Sequence, residues 1–408
     1  MKAPLSPITV CENRLFMRGA CPPGYKAFGF SATPHTGLRP VTPRLSWQLF
    51  SSITLSLLLT LASCGSRLPP QAEFAMTTVC VVNLFEDGSR KLYSEIFSRI
   101  REIDRTMTAF PPADGIGFAS EVVEIGRNAG FRPVKIGDDL IEVLERSLHF
   151  AELSDGAFDP TIGPLTSLWG FGTDSRRVPS RPEIESALAL VNWRDLVVNR
   201  AAGTAYLRRE GMSLDLGAIA KGYAGDEAAR VARQGGARRA IIDLGGNIVL
   251  VGWRQRGGNA LQRLFAMRVM EYLPWRVGVQ NPLAERGEHI GLLELHDTSI
   301  VTSGVYEQYF DAPGHDGTTR RFHHLLSTQT GFPIDNGLVS VTVVTESSTD
   351  ADALSLAAFA MGYRRGRALI DSRPEAEAIF VFADRSVSIT DGLVGVFRLT
   401  STDFSLAR

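Results

Sequence analysis

Apolar positions along the chain alternate between a period near two and a period near 3.6, with polar or glycine-bearing breaks between them. Residues 76–85 form a Val- and Thr-rich run that reads as a strand, closed by a turn at Glu86-Asp87-Gly88. Leu92, Ile96, Ile100, Ile103 and Met107 then recur at helical spacing. A second helix is expected over 139–153, with Leu140, Ile141, Leu144 and Leu148 on its apolar face and Asp138 as N-cap. A hairpin follows at 195–208, then a helix at 217–234 stopped by Gly235-Gly236. The strand from Arg239 to Val251 is interrupted at Gly245-Gly246. Further strands are expected near 275–280, 290–296, 338–345 and 377–383, and helices at 350–361 and 363–371. Segment 253–274 has mixed character and reads as an excursion between strands. Strands and helices mix without the strict alternation of a doubly wound parallel sheet, so the fold class is α+β. No repeat and no long linker follows residue 74, so 75–408 reads as one domain.

The first 64 residues are a different kind of sequence. Residues 1–48 are rich in Pro, Gly and Ser and show no sustained period. Arg39 and Arg44 precede an apolar run from Leu49 to Ala62, about 14 residues and too short for a bilayer core of about 30 Å. The run has the length of a secretory h-region and ends in Leu61-Ala62-Ser63-Cys64, the pattern of a bacterial lipobox. The expectation is a signal region over 1–63 and a lipid-bearing Cys64 with a short tether over 64–74, which would hold the domain at a membrane facing the periplasm.

Composition narrows the partners. Lys plus Arg total 43 against 44 Asp plus Glu in 408 residues, a formal net charge of -1 with no block of one sign, which argues against a nucleic-acid surface. Of the four cysteines, Cys11 and Cys21 precede the lipobox and Cys64 belongs to it. Only Cys80 is left, inside Val79-Cys80-Val81-Val82, so no disulfide framework is expected.

Four segments carry candidate chemistry. Gly156-Ala157-Phe158-Asp159-Pro160-Thr161 is a loop whose backbone can approach a ligand closely, and Asp159 either meets that ligand or caps its own turn. Leu214-Asp215-Leu216-Gly217-Ala218-Ile219-Ala220-Lys221 turns into a helix, and a helix start with a lysine one turn in suits a pyrophosphate, although Asp215 also fits an ordinary N-cap. In His323-His324-Leu325-Leu326-Ser327-Thr328-Gln329-Thr330-Gly331 a histidine beside a glycine-bounded loop is a candidate general base. Thr349-Asp350-Ala351-Asp352-Ala353-Leu354-Ser355 opens a helix, and Asp352 offers a hard oxygen suited to Mg²⁺.

Taken in order, Met76-Thr77-Thr78, GAFDPT, LDLGAIAKGYAGD, DLGGN, TSGVYE, HHLLSTQTG and DADALSLA resemble the motifs of the ApbE-like FAD:protein FMN transferases over about 330 residues, leaving out residues 1–73. The resemblance implies antiparallel sheets with packed helices, FAD as substrate, Mg²⁺ as cofactor, and target proteins that receive FMN on a Thr or Ser hydroxyl while AMP leaves. It implies FAD contacts at Met76, Phe110, Ala157, Phe158, Asp159, Asp215, Lys221 and Leu326. It implies metal ligands at the carbonyl of Ala218 and at Asp352, Ser355 and Leu356, with His324 as the base. Water in place of the hydroxyl would make the site an FAD pyrophosphatase.

This chain departs from the family pattern at four places. Thr77 stands where a glycine is usual, Phe110 where a tyrosine is common, and Ser327-Thr328 where Asp-Pro is usual. Ser355 and Leu356 stand where the family often has a carboxylate and a threonine, which weakens the metal donors more than the flavin contacts. The alternative function is therefore a lipoprotein that stores or delivers intact FAD.

Overall fold

The computed structural model describes residues 68–85, 88–110, 119–256, 271–314 and 317–407. The signal region, Cys64, the Glu86-Asp87 turn and the middle of the 253–274 excursion lie outside the described residues.

The expected α+β class is what the chain adopts, and its frame is a nine-stranded sheet. Its strands follow chain order: β1 (Gln71–Ala75), β2 (Thr78–Leu84), β3 (Ala240–Leu244), β4 (Ile248–Val251), β5 (Ser299–Gly304), β6 (Leu338–Thr345), β7 (Glu377–Phe382), β8 (Ser386–Ile389) and β9 (Ser405–Leu406). Every neighbouring pair is antiparallel except β8 with β9. Everything else in the domain is an excursion from this meander.

The described helices are α1 (Arg90–Met107), α2 (Glu121–Arg127), α3 (Asp138–Leu153), α4 (Gly163–Trp169), α5 (Arg181–Leu188), α6 (Ala220–Gln234), α7 (Ser348–Met361) and α8 (Tyr363–Asp371), and all but α4 and α5 pack into the main core on one face of the sheet. The α1 apolar stripe is buried as its spacing predicts, and Ser89 caps the helix by accepting from Leu92 N at 3.1 Å. α7 is buried almost all round, so it runs through the core and not over it. On the other face sits a small sheet of Trp275–Gln280, His289–Leu295 and Phe397–Leu399, packed on Leu250, Ile300, Val344 and Ile379. β6 lies between both layers and is buried at every position. A third cluster, around Trp169, Phe171, Ile184, Phe322 and Leu326, joins α4 and α5 to the hairpin Tyr309–Pro313/Thr319–His323.

Several boundaries differ from the sequence reading, each for a local reason. Residues 71–74, read as tether, form with Ala75 a strand that pairs with β2, so the expected strand over 76–85 is the second arm of a hairpin. Asp138 is the first residue of α3 and Gly137 takes the N-cap place without a side-chain bond. α6 begins at Ala220 because Asp215 to Ile219 form a turn first. α2, α4 and α5 span too few turns for periodicity to reveal them.

Candidate active site

Three bonds build the turn that leads into α6. Asp215 Oδ1 accepts from Gly217 N at 2.8 Å, and the N–H groups of Ile219 and Ala220 both close onto Leu216 O at 3.0 and 2.8 Å. Asp215 therefore caps the turn, and the helix N-terminus beyond it has no side-chain cap. The first N–H groups of α6 carry the partial positive charge of a helix start, and Lys221 adds a full one. Its Nζ donates to Gly217 O at 2.8 Å and lies 3.9 Å from Asp352 Oδ1.

Asp352 reaches this turn because α6 and α7 touch backbone to backbone. A Cβ on Gly222 would lie 2.7 Å from Ser348 C and 2.8 Å from Asp352 Cβ, so only glycine permits the approach. Gly222 N donates to the buried Asp352 Oδ2 at 2.9 Å. That N–H is the one a helix would return to residue 218, and no group among the described residues bonds the Ala218 carbonyl in its place. One turn on, Asp226 anchors the start of α7: it accepts from Ser348 N, Thr349 N and the hydroxyls of Ser347 and Thr349 at 2.6–3.1 Å. Asp226 closes the LDLGAIAKGYAGD motif, where local pattern assigns it no role. The signal was an acidic residue spaced one turn beyond Gly222 on the same helix face.

Ser355 and Leu356 are less available. Ser355 Oγ is 2.7 Å from Ser303 Oγ on β5 and donates to Asp352 O at 2.9 Å, while Leu356 packs against the main core and brings no side-chain oxygen. Among the described residues no three His, Cys, Asp or Glu side chains form a metal cluster. The donors that do fit a divalent cation are one buried carboxylate and the unbonded Ala218 carbonyl, a sparse set that suits an ion shared with phosphate oxygens.

The GAFD loop is fixed by its own side chains. Asp159 Oδ1 accepts from Thr161 N and Oγ1 at 2.8 and 2.6 Å, and Oδ2 accepts from Trp193 N at 2.9 Å. Burial pushes this carboxyl upward against the pull of those donors. Phe158 is 2% exposed and meets Phe150 edge-on. Gly156 N and Ala157 N donate to Ala151 O and Ser154 O at 2.7 and 3.2 Å, so what the loop leaves a ligand is the Ala157 carbonyl more than these two side chains. Asp215 N donates to Pro160 O at 2.9 Å, which ties the loop to the Asp215 turn.

His324 sits half-buried at the end of the Tyr309–His323 hairpin. Its N–H and its Nδ1 both face Gln308 O, at 3.1 and 3.2 Å. A carbonyl only accepts, so Nδ1 carries the proton and Nε2 keeps a free lone pair. Burial holds its pKa down at about 4, and the nearby Lys221 charge acts in the same sense. His323 instead points Nε2 at Ile334 O, 3.0 Å away inside the core. Ser327 Oγ accepts from Gln329 N and Thr330 N at 3.2 Å, doing the turn-capping work of the usual aspartate. Thr328, in place of the usual proline, donates its hydroxyl to Gly156 O at 2.7 Å and so links the histidine loop to the GAFD loop. Leu326 is buried in the third apolar cluster.

Phe110, half exposed, lines a cleft of about 410 Å³ with Phe74, Thr77, Arg105 and Gly172. Gly172 of this cleft approaches the side chain of Gln308, whose backbone carbonyl holds His324. Met76 and Thr77 form the two-residue β1–β2 turn at φ 51° and 60°, the left-handed region, with Met76 N donating to Asp104 Oδ2 at 2.9 Å. A β-branched residue is strained there, so Thr77→Gly should raise stability by about 1 kcal/mol, measured as a higher urea midpoint at unchanged slope.

An antiparallel meander backed by one buried helix, with a lysine-bearing helix start beside Asp352, defines the class, an α+β fold. Within that class the chain belongs to the ApbE family, whose sequence model matches residues 76–380. It is 32% identical over 376 residues to the FAD:protein FMN transferase of Treponema pallidum (strain Nichols), covering 89% of this chain and 98% of the relative. A FAD:protein FMN transferase of Klebsiella pneumoniae (strain 342) is 33% identical over 271 residues, 66% of this chain and 78% of its own. Among solved structures, the ApbE protein of Thermotoga maritima superposes with TM-score 0.67 at 29% identity, over 81% of this chain and 99% of that one. The flavinyl transferase ApbE of Pseudomonas stutzeri, in its apo form, gives 0.65 at 27%, over 82% and 98%.

Proposed function

We propose that the protein is a Mg²⁺-dependent FAD:protein FMN transferase that moves FMN from FAD to a Thr or Ser hydroxyl of a target protein and releases AMP. The observation that carries this reading is His324, whose Nδ1 is fixed on Gln308 O so that Nε2 is left as a base. In the proposed reaction the acceptor hydroxyl gives its proton to His324 Nε2, its oxygen bonds the phosphorus of the FMN half, and AMP departs with the broken bond's electron pair. Lys221 and the α6 N-terminus hold the pyrophosphate, and Asp215 shapes the turn that presents them. Asp352, the Ala218 carbonyl and, through weaker donors, Ser355 and Leu356 would hold Mg²⁺, which supplies charge neutralisation at the phosphates. Phe74 and Phe110 line a cleft that would take the flavin ring, and Met76 N is held by Asp104 on its wall. Water in place of the acceptor would give an FAD pyrophosphatase from the same groups.

The test is covalent transfer. The full-length protein, FAD, Mg²⁺ and a flavin-accepting protein should give a fluorescent band that survives a denaturing gel. Fluorescence that disappears on denaturation would reject transfer. The second reading, a protein that stores or delivers intact FAD, is favoured by Leu356, which brings no side-chain oxygen where a ligand is needed.

The base assignment has a pH consequence. With its pKa near 4, His324 stays unprotonated from pH 8 down to about 5, so the rate should show no acid limb at the ordinary histidine value of about 6.5. Because the folded pKa is depressed, the folded state binds this proton later than the unfolded chain. The stability contribution is full above about pH 6.5 and is lost as pH falls towards 4. A rate profile that halves near pH 6.5 would contradict the assignment.

We also propose that Cys64 carries lipid and holds the enzyme at the periplasmic face of a bacterial membrane, so that its targets are periplasmic or membrane proteins. Cys64→Ala should release the protein from the membrane fraction or leave it as precursor. Unchanged fractionation and no acyl-chain mass on the native protein would overturn this.

A further inference from the structure

We infer that Asp226 is a positioning residue for the proposed cation: it fixes the register of α7 on α6 and so sets where the Asp352 carboxylate meets the metal. The inference rests on the transferase reading above, with its cation at Asp352 and the Ala218 carbonyl. Asp226 lies four residues after Gly222, one turn along the same face of α6. Its two oxygens divide the start of α7 between them. Oδ1 accepts from Ser348 N at 2.8 Å. Oδ2 accepts from Thr349 N at 2.9 Å and from the hydroxyls of Thr349 and Ser347 at 2.6 and 3.1 Å. The next N–H, of Asp350, closes on Ser347 Oγ at 3.2 Å, and Ala351 N begins the helical ladder on Ser347 O at 3.0 Å. Two of the three N–H groups at the start of α7 are thus met by another helix.

Such a cap does more than end a helix. Ser347 already supplies an ordinary N-cap from the chain itself. The bonds from Ser348 N and Thr349 N are directional, so they fix the height of α7 along α6 and its rotation about its own axis. Asp352 follows Ser348 by one turn, and the same rotation directs its Oδ2 to Gly222 N at 2.9 Å. Its Oδ1 is left with Lys221 Nζ at 3.9 Å and no hydrogen bond among the described residues. The helix contact absorbs little slack, since Gly222 and Gly225 both press on Ser348 and a Cβ on Gly225 would lie 3.0 Å from its Oγ. Mg²⁺ demands near-ideal octahedral geometry, and a donor set with one carboxylate has no second charge to make up for a displaced one. Asp226 touches none of the proposed cation donors and acts on them through α7.

The experiment compares the full-length protein with Asp226→Asn, which keeps the shape of the side chain but puts a donor where one oxygen accepts. A lost negative charge weakens cation binding by itself, so the first readout is taken without metal. Amide exchange should quicken roughly tenfold at Gly222, whose N–H depends on Asp352, as well as at Ser348 and Thr349. The second readout is Mn²⁺ titrated into FAD-loaded protein in place of Mg²⁺, with the free ion followed by electron paramagnetic resonance. Its Kd should rise about tenfold, while FAD affinity measured without metal stays at the parent value. Thr349→Val removes the shortest of the four bonds, leaves every charge in place and should shift both readouts the same way by less. Ser347→Ala is the control. It loses the local cap and should unfold at lower urea, yet keep parental Gly222 exchange and Mn²⁺ affinity, because Ser348 N and Thr349 N remain on Asp226. Faster exchange at Ser348 and Thr349 with Gly222 unchanged would reduce Asp226 to a helix cap and overturn the inference, and so would parental Mn²⁺ affinity in Asp226→Asn. Mn²⁺ that fails to bind even the parent protein would instead overturn the metal reading on which the inference stands.

Discussion

Replacing Asp352 by Asn will stop FAD cleavage while leaving FAD binding close to the parent value. The carboxylate has two duties that this substitution separates. Its Oδ2 takes the buried N–H of Gly222, and an amide oxygen can still do so, which avoids the ~1–3 kcal/mol of an orphaned buried donor that Asp352→Ala would incur. Its charge is the only carboxylate among the proposed cation donors, and that is lost. A metal's share of transition-state stabilisation is several kcal/mol, so the rate should fall by about 10³-fold or more. Flavin fluorescence titration gives the affinity and AMP release gives the rate. Leu356→Thr is the converse experiment: an oxygen restored one turn from Asp352 should lower the Mg²⁺ concentration at half-maximal rate. An Asp352→Asn variant that cleaves FAD like the parent protein would remove Asp352 from the mechanism.

The second large effect comes from a residue with no chemistry. Gly222→Ala places a methyl group against the Ser348 backbone and Asp352 Cβ, and neither can give way as the end of a flexible side chain would. The helices α6 and α7 must part, at about 3 kcal/mol, the upper end of ordinary overpacking. The same parting pulls Asp352 from the Lys221 turn, so activity should fall further than the loss of folded protein explains. Denaturant unfolding gives the first quantity and AMP release per folded molecule the second. A variant of parental stability would mean that the α6–α7 contact is looser than described.

Much of this was legible in the sequence because it depends on local pattern. The α1 stripe from Leu92 to Met107, the β3–β4 break at Gly245-Gly246 and the two helices near the C-terminus follow from periodicity and glycine. The motif order led to the family directly. What could not be read was pairing at a distance. β1 looked like tether because its partner, not its composition, makes Gln71–Ala75 a strand. Asp159 and Phe158 looked like ligand contacts, yet Thr161 with Trp193, and Phe150, claim their side chains, and only the fold brings Trp193 there. Asp226 is the clearest case. Its four donors arrive from Ser347, Ser348 and Thr349, more than a hundred residues on, and no spacing rule reaches that far. Thr328 taught the same lesson, since its bond to Gly156 O links two loops that each departed from or kept the family pattern separately.

The central claim is that FAD is cut between its phosphates at the Lys221–Asp352–His324 site with help from Mg²⁺. Chromatography of AMP and FMN from full-length protein incubated with FAD across a Mg²⁺ series tests it most directly. The expected result is AMP that appears with saturable dependence on Mg²⁺, reaches its half-maximum at millimolar or lower metal, and is absent in excess EDTA. Cleavage that persists in EDTA, or FAD recovered intact at millimolar Mg²⁺ with an acceptor present, would contradict it.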